Sequence, residues 1–497
     1  MLLTTDRQVR AARTRPDTVT DSGLRWVPAL YLLLLAGCAS VPGRLLPPSV
    51  QAALQQAGMT EQVLGVVAYP LAPGSQGLWV NPDEPMQPAS TMKLVTTVVA
   101  LERLGPNARG RTDLAATDKP QDGVIAGPLY LRGGADTDLD WGALWDMLRQ
   151  LRDQGVRHIQ GGLVVDRTLF NPSRLDIGTM PFDEAPEFPY NVIPDALNLN
   201  TSLLRFAFQS DARTVSVRSS PAWPGLHLDT RAVTLNDKLC TDWGGSWALP
   251  QVQQDDLGAQ ITFQGQFPRN CSQAPELNLL DRQWVVGAAV RQIWQQLGGH
   301  IDGADSEGPT PATATVLVHH LGRPFAEVVR GMLKRSDNPL TRLTYLRMGA
   351  SAARGDEATL QAAERVVREW FVGKGITVDG LVMDNGSGLS RAERITPAQL
   401  AAVLLAAQQG PHWPELLSSL PVAGVDGTLS RRFKGSPAQG RARLKTGTLR
   451  NAVGLVGFVT DASQRQWLVV ALLNHDSAAD KGPPILDAII EWVASQS

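Results

Sequence analysis

The stretch STMKLVTTVVALERLG, residues 90–105, limits the fold more than any other part of the chain. Read as a helix, its apolar residues Met92, Leu94, Val95, Val98, Val99, Leu101 and Leu104 fall almost all round the axis. Such a helix is buried on most sides, so it belongs inside a layered domain. It stops at Gly105-Pro106. The 497 residues, 43% apolar and 19% charged, supply enough core for two or three domains. With a net charge of −2 and no basic patch or run, nucleic acid is not an expected partner.

The segments around this helix say which layers cover it. VLGVVAYPLA (64–73) and GLWV (77–80) read as strands joined by a Pro/Gly/Ser turn. Near the other end, ARLKTGT, AVGLVGFVTD and QWLVVALLNHD read as three more strands, the last two as a hairpin. PPILDAIIEWVASQ closes the chain as an amphipathic helix. Thr396 and Pro397 open another helix as N-cap and first helical residue. Helical periodicity over residues 324–350 is broken near Ser336–Pro339. Residues from about 113 to 310 differ: short β-like runs alternate with Gly/Pro/Asp turns, interrupted by helical stretches near WGALWDMLRQLRDQG and WVVGAAVRQIWQQLGG. The expected architecture is α/β (α+β): one sheet sandwiched by helices, interrupted by smaller inserted α/β domains. Its parts are a leader at 1–38, a first part of the main domain at 39–112, inserted domains (two, one nested in the other) at 113–309, and a second main part at 310–497.

The leader reads as a targeting segment. Val27 to Ala36 is an apolar run preceded by Arg25, too short to span a bilayer. Leu35-Ala36-Gly37-Cys38 resembles the bacterial lipoprotein box, in which the cysteine becomes the lipidated N-terminus. Met1–Leu24 is long for such a leader, as an initiation site placed too far upstream would give. Ala39 rather than Asp after the cysteine favours the outer membrane over the inner. The implied location is the bacterial periplasm, with a lipid anchor in the membrane. Export permits disulfides, and setting Cys38 aside leaves Cys240 and Cys271 as an even pair, either bridged or two buried thiols. No CxxC, HExxH or Cys/His cluster points to a metal.

Ser90 and Lys93 are three apart, so on a helix they share a face. A serine hydroxyl needs a base to become a nucleophile, and a buried lysine with a lowered pKa can be that base. Lysine is scarce, 8 of 46 basic residues, which makes its placement informative. Alone, S-x-x-K is weak evidence and reads more readily as a capping serine followed by a surface lysine. Two further stretches change this: Ser336-Asp337-Asn338 in KRSDNPL, and Lys445-Thr446-Gly447-Thr448 in RLKTGTL. S-x-x-K, S-D-N and K-T-G in this order resemble the motif set of penicillin-binding proteins and class A β-lactamases.

Ser336 lies 246 positions after Ser90, a separation too long for a β-lactamase. With LYLRGGAD (129–136), YNVIPDALNLN (190–200), MLKRSDNPLTRLTYLRMG and DNGSGLSR (384–391), it resembles the D-alanyl-D-alanine carboxypeptidase/endopeptidase family: PBP4-like, class C low-molecular-mass, peptidase family S13. The resemblance covers nearly all of residues 50–495. It implies a penicillin-binding, transpeptidase-like sandwich and a serine D-Ala-D-Ala carboxypeptidase and D,D-endopeptidase acting on peptidoglycan stem peptides. Ser90 would be acylated and Lys93 would take its proton. Ser336 would relay a proton to the leaving amine, and Asn338 would hold Lys93 and a substrate carbonyl. Lys445, Thr446 and Thr448 would bind the terminal carboxylate, and Gly447 would let a substrate strand lie close. Backbone N–H groups of Ser90 and Thr448 would form the oxyanion hole. β-Lactams would trap the same serine, and no metal or organic cofactor is required. Two readings compete: a β-lactamase, and a lipid-anchored scaffold without activity. DNGSGLSR reads as a structural glycine-rich turn, and Asp136 and Asp140 as turn residues. Ala135-Asp136-Thr137 stands where the family has Gly-Asp-Pro.

Overall fold

The computed structural model describes residues 46–72, 77–183, 185–255 and 258–497, so the targeting segment and Cys38 lie outside the described residues. A five-stranded antiparallel sheet joins both ends of the chain, in the order Ala442–Leu449, Ala452–Thr460, Gln466–Asn474, Leu64–Pro70, Leu78–Val80. Its central strands are buried along almost their whole length, so both faces are covered. Side chains alternate between faces with period two. Val456, Phe458, Leu468, Val470 and Leu472 enter one core, with helices Lys93–Leu104, Phe325–Arg335, Asn338–Ala350, Thr359–Gly373 and Pro397–Gln409. Leu455, Val459, Val469, Ala471 and Leu473 enter the other, with helices Pro48–Ala57 and Ala478–Ala494.

The Lys93–Leu104 helix is buried continuously from Lys93 to Leu101 and ends at Gly105, whose φ is 82°. The α-helix itself begins at Lys93, because Ala89–Met92 form a tighter 3-10 turn. Thr396 makes a full capping box with Gln399. The closing helix starts at Ala478, before the prolines expected at its first turn, and holds Pro483 and Pro484 inside its second turn.

The middle of the chain builds its own sheet, in the order Ser306–Glu307, Leu163–Asp166, Leu129–Gly134, Arg111–Ala116, Thr315–Leu321. Of the last two strands, Arg111–Ala116 crosses the expected limit at 113 and Thr315–Leu321 lies wholly beyond the one at 309. The chain leaves along Arg111–Ala116 and returns along Thr315–Leu321, which pairs antiparallel with it, so exit and return close the same sheet. Val318 accordingly packs in the middle segment's core with Leu114, Leu131 and Val165. Between residues 166 and 282 lie two smaller sheets, including the strands Leu204–Ser210, Leu226–Asn236 and Ala259–Pro268. Phe206 and Phe208 meet Phe263 edge to face, as Phe208 does Trp247. Cys240 and Cys271 are joined by a disulfide. Asp140 caps the helix Trp141–Asp153. Asp136 holds its turn by accepting from Asp138 N–H, and Ala135 before it has φ 55°, a left-handed conformation that glycine adopts more readily.

Cross-linking residues 31 apart removes unfolded-state entropy worth about 3–4 kcal/mol in the loop-closure treatment. Cys271→Ser is therefore expected to destabilise the nested sheets by about that amount. A urea titration followed by tryptophan fluorescence, with and without reductant, checks this; coincident curves would assign the bridge no stabilising role.

Candidate active site

Three separate segments bring the predicted residues together beside the edge of the main sheet, and a fourth segment joins them. Ser90 sits in the 3-10 turn before the buried helix, one turn ahead of Lys93. Ala89 takes a positive φ of 47°, so the turn is held in a strained conformation at the residue before the serine. Ser336-Asp337-Asn338 is the break between two helices. Ser336 ends the first in a left-handed conformation, Asp337 caps the second by accepting from Leu340 N–H, and Asn338 opens it. Lys445 to Thr448 lie on the edge strand Ala442–Leu449. The fourth segment is the turn at 384–388.

Lys93 is the hub. It is fully buried, and its Nζ lies 3.0 Å from Ser90 Oγ and 2.6 Å from Asn338 Oδ1, and donates to the Ser387 carbonyl. Burial pulls its pKa down to about 7, against the opposing pull of Glu393 and Asp337. A neutral amine has two N–H groups and one lone pair. Asn338 Oδ1 and the Ser387 carbonyl can only accept, so they take both protons and leave the lone pair facing the Ser90 hydroxyl. Asn338 Nδ2 donates to the Tyr190 carbonyl at 3.1 Å, which fixes the orientation of the amide.

Lys445 forms the second arm. It is also fully buried, and donates to Ser336 Oγ at 2.8 Å and to the Thr446 carbonyl at 2.7 Å. Burial first, and then the nearby Lys93, push its pKa well below the ordinary lysine value. Thr446 Oγ1 donates to Thr428 Oγ1 at 2.9 Å, and Thr448 is exposed. Along this strand Leu444 N–H and the Ala442 carbonyl bond outward, away from the rest of the sheet. By alternation the backbone groups of Thr446 and Thr448 face the same way. Gly447 has a different neighbour from the one expected. A Cβ there would lie 2.8 Å from the Pro88 carbonyl and 3.1 Å from Ser90 N, so its missing side chain lets the strand pack against the serine's own turn.

The turn DNGSGLSR does more than the sequence suggested. Its glycines are structural: Gly386 and Gly388 have φ of 71° and 79°. A Cβ on Gly388 would stand 1.8 Å from the Ala89 carbonyl. Yet the turn also presents Ser387 to Lys93, and the Gly386 carbonyl accepts from Thr96 Oγ1 at 2.6 Å. Buried Glu393 sets its shape, accepting through Oε1 from the backbone N–H groups of Asp384, Asn385 and Gly386. Burial raises the Glu393 pKa to about 7, opposed by those N–H groups and by Lys93. Neither Ser387 nor Glu393 is marked by spacing; a charged residue five positions after a glycine-rich turn gives no local signal.

A cavity of about 680 Å3 opens beside this group, lined in part by Asn191, Arg342, Asp384, Asn385 and Arg391. It borders the Lys93 cluster rather than covering it: Arg342 donates to the carbonyls of Asn191 and Val192 next to Tyr190.

Residues 46–496 match the model of the D-Ala-D-Ala carboxypeptidase 3 (S13) family. The chain belongs to that family. It is 28% identical over 457 residues to the D-alanyl-D-alanine carboxypeptidase of Actinomadura sp. (strain R39), covering 88% of this chain and 82% of the relative. The crystal structure of penicillin binding protein 4 (dacB) from Haemophilus influenzae has the same fold, with a TM-score of 0.76 at 23% identity, covering 90% of this chain and 99% of that one. The same H. influenzae protein complexed with a β-lactam matches with a TM-score of 0.70 at 23% identity, covering 88% and 97%. The family is one of hydrolases, and the α/β sandwich implied by the motifs is its fold.

Gly388→Ala is expected to cost about 3 kcal/mol or more, because both the backbone conformation and the Ala89 carbonyl oppose a Cβ. Gly435, with φ 75° and open space around it, is the control: Gly435→Ala meets only the conformational cost, about 1 kcal/mol. Thermal melts of both variants check the difference.

Proposed function

We propose that the chain is a serine D-Ala-D-Ala carboxypeptidase, and a D,D-endopeptidase, acting on peptidoglycan stem peptides through an acyl-enzyme on Ser90. The observation that carries this is the contact of the buried Lys93 Nζ with Ser90 Oγ, flanked by two carbonyl oxygens that accept its protons. Ser90 Oγ attacks the carbonyl of the penultimate D-Ala while Lys93 takes its proton. Backbone N–H groups of Ser90 and Thr448 stabilise the oxyanion. The C–N bond then breaks, and Ser336, next to Lys445, relays to the leaving amine the proton that Lys93 took, keeping its own hydroxyl. Lys445, Thr446 and Thr448 bind the terminal carboxylate, Asn338 orients the peptide, and Gly447 keeps the edge strand against the Ser90 turn. Water hydrolyses the ester. For the endopeptidase reaction the leaving amine belongs to a cross-linked stem, whose bulk the neighbouring cavity accommodates.

β-Lactams enter the same step, with their ring amide as the scissile bond. The leaving amine remains attached to the adduct, so Ser90 stays blocked. The targeting segment supports a periplasmic location with a lipid anchor at Cys38, outer membrane favoured. We also assign residues 111–321 to the inserted domains, since both bounding strands belong to their sheet.

Incubation with benzylpenicillin is expected to add one penicilloyl equivalent to the intact mass of the wild type and none to Ser90→Ala. No adduct on folded wild type would favour a scaffold, and an adduct lost within seconds would favour a β-lactamase. Released D-Ala and cleaved cross-links, measured on muropeptides, then separate the two hydrolytic activities.

The Glu393 carboxylate favours the ammonium form of Lys93, and base catalysis needs the amine. Acylation should therefore rise as pH increases through about 7. Glu393→Gln keeps an oxygen for the three N–H groups and removes the charge. Its acid limb is expected to move to lower pH by about one unit. An unshifted pH profile of penicillin acylation would deny Glu393 any influence on Lys93.

A further inference from the structure

A second cluster of chemistry-bearing side chains lies in the middle segment, and the reaction at Ser90 does not use it. The strands His158–Ile159 and His300–Ile301 pair in parallel, with His158 beside His300 and Ile159 beside Ile301. Register partners stand on the same face of a sheet, and a residue two positions on returns to that face. Ile159 and Ile301 point into the core, so His158, His300 and then Asp302 share the outer face. Asp302 N–H donates to the Ile159 carbonyl at 2.9 Å, which carries the pairing one residue past the strand end. The Asp302 carboxylate lies between the rings: His158 Nε2 is 2.6 Å from Oδ2, and His300 Nε2 is 2.7 Å from Oδ1. One ligand atom from each residue falls within 4.8 Å of the others.

Two imidazole nitrogens and a carboxylate oxygen are a donor set suited to zinc. Around an ion with bonds of about 2.0–2.1 Å, tetrahedral ligand atoms stand about 3.3 Å apart. The two Nε2–oxygen contacts, made to different carboxylate oxygens, are about 0.6 Å shorter than that spacing, so binding needs a rotation of the side chains that brings one oxygen and both Nε2 atoms to it. We propose that His158, His300 and Asp302 form a zinc site, with water in the fourth position. In the zinc-bound site each ring offers the lone pair of Nε2, keeps a proton on Nδ1, and has released any Nε2 proton to solvent. The site ties together two strands of two residues each, whose histidines are 142 positions apart in the sequence. It acts as a clip between the early and late parts of the inserted segment.

The test titrates the chelator-stripped full chain with zinc chloride in competition with a chromophoric chelator. The wild type is expected to bind one equivalent and to melt at a higher temperature with zinc than without. A His158→Gln/His300→Gln double variant is expected to lose both effects while keeping its rate of penicillin acylation, which shows that it is folded. Asp302→Asn is expected to bind about tenfold or more weakly, and it decides the matter if the double variant does not fold. Failure of the wild type to hold zinc overturns the proposal, as does an unchanged affinity in the folded double variant or in Asp302→Asn.

Discussion

Burial of one amine organises this protein. An isolated ammonium inside a fold is costly, and the fold meets that cost at Lys93 by lowering its pKa and surrounding it with oxygen acceptors. The partners of Lys93 come from three segments. Ser90 lies one turn away, Asn338 lies 245 residues on, and Ser387 lies 294 residues on. The amine can be satisfied only when all three have assembled. Chemistry and tertiary structure therefore share a single contact.

The support extends outward from that contact. Glu393 shapes the turn that offers Ser387, and its burial raises its own pKa toward the same range as that of Lys93. Gly447 lets the edge strand close against the serine's turn and brings Lys445 to Ser336. The inserted segment takes part as well, since the Tyr190 carbonyl orients the Asn338 amide whose oxygen meets Lys93. A change in how that segment seats on the helix Asn338–Ala350 would be felt at the amine.

Much of this was legible beforehand because it is local. The all-round apolar helix, the Thr396 cap, the hairpin and the three motifs depend on residues a few positions apart. The differences have one cause. Pro483 and Pro484 suggested a helix start, but the helix begins a turn earlier, at Ala478, and contains them. Thr315–Leu321 lies beyond the limit expected for the insertion, because nothing in its own residues shows that it pairs with Arg111–Ala116, about 200 positions earlier. The turn at 384–388 read correctly as glycine-dependent, yet its carbonyl toward Lys93 is a backbone group, which no side-chain motif announces.

By itself, then, the sequence determined the local conformations and the chemical inventory: a serine and a lysine one turn apart, a capped break carrying Ser336 and Asn338, and a strand carrying Lys445. Tertiary structure alone decided which of these groups meet. It gave Lys93 its acceptors, buried Glu393 beneath the turn, set Gly447 against residues 88–90, and laid His158 beside His300. Each outcome depends on desolvation or on register between distant segments, and both are properties of the packed chain rather than of any short stretch within it.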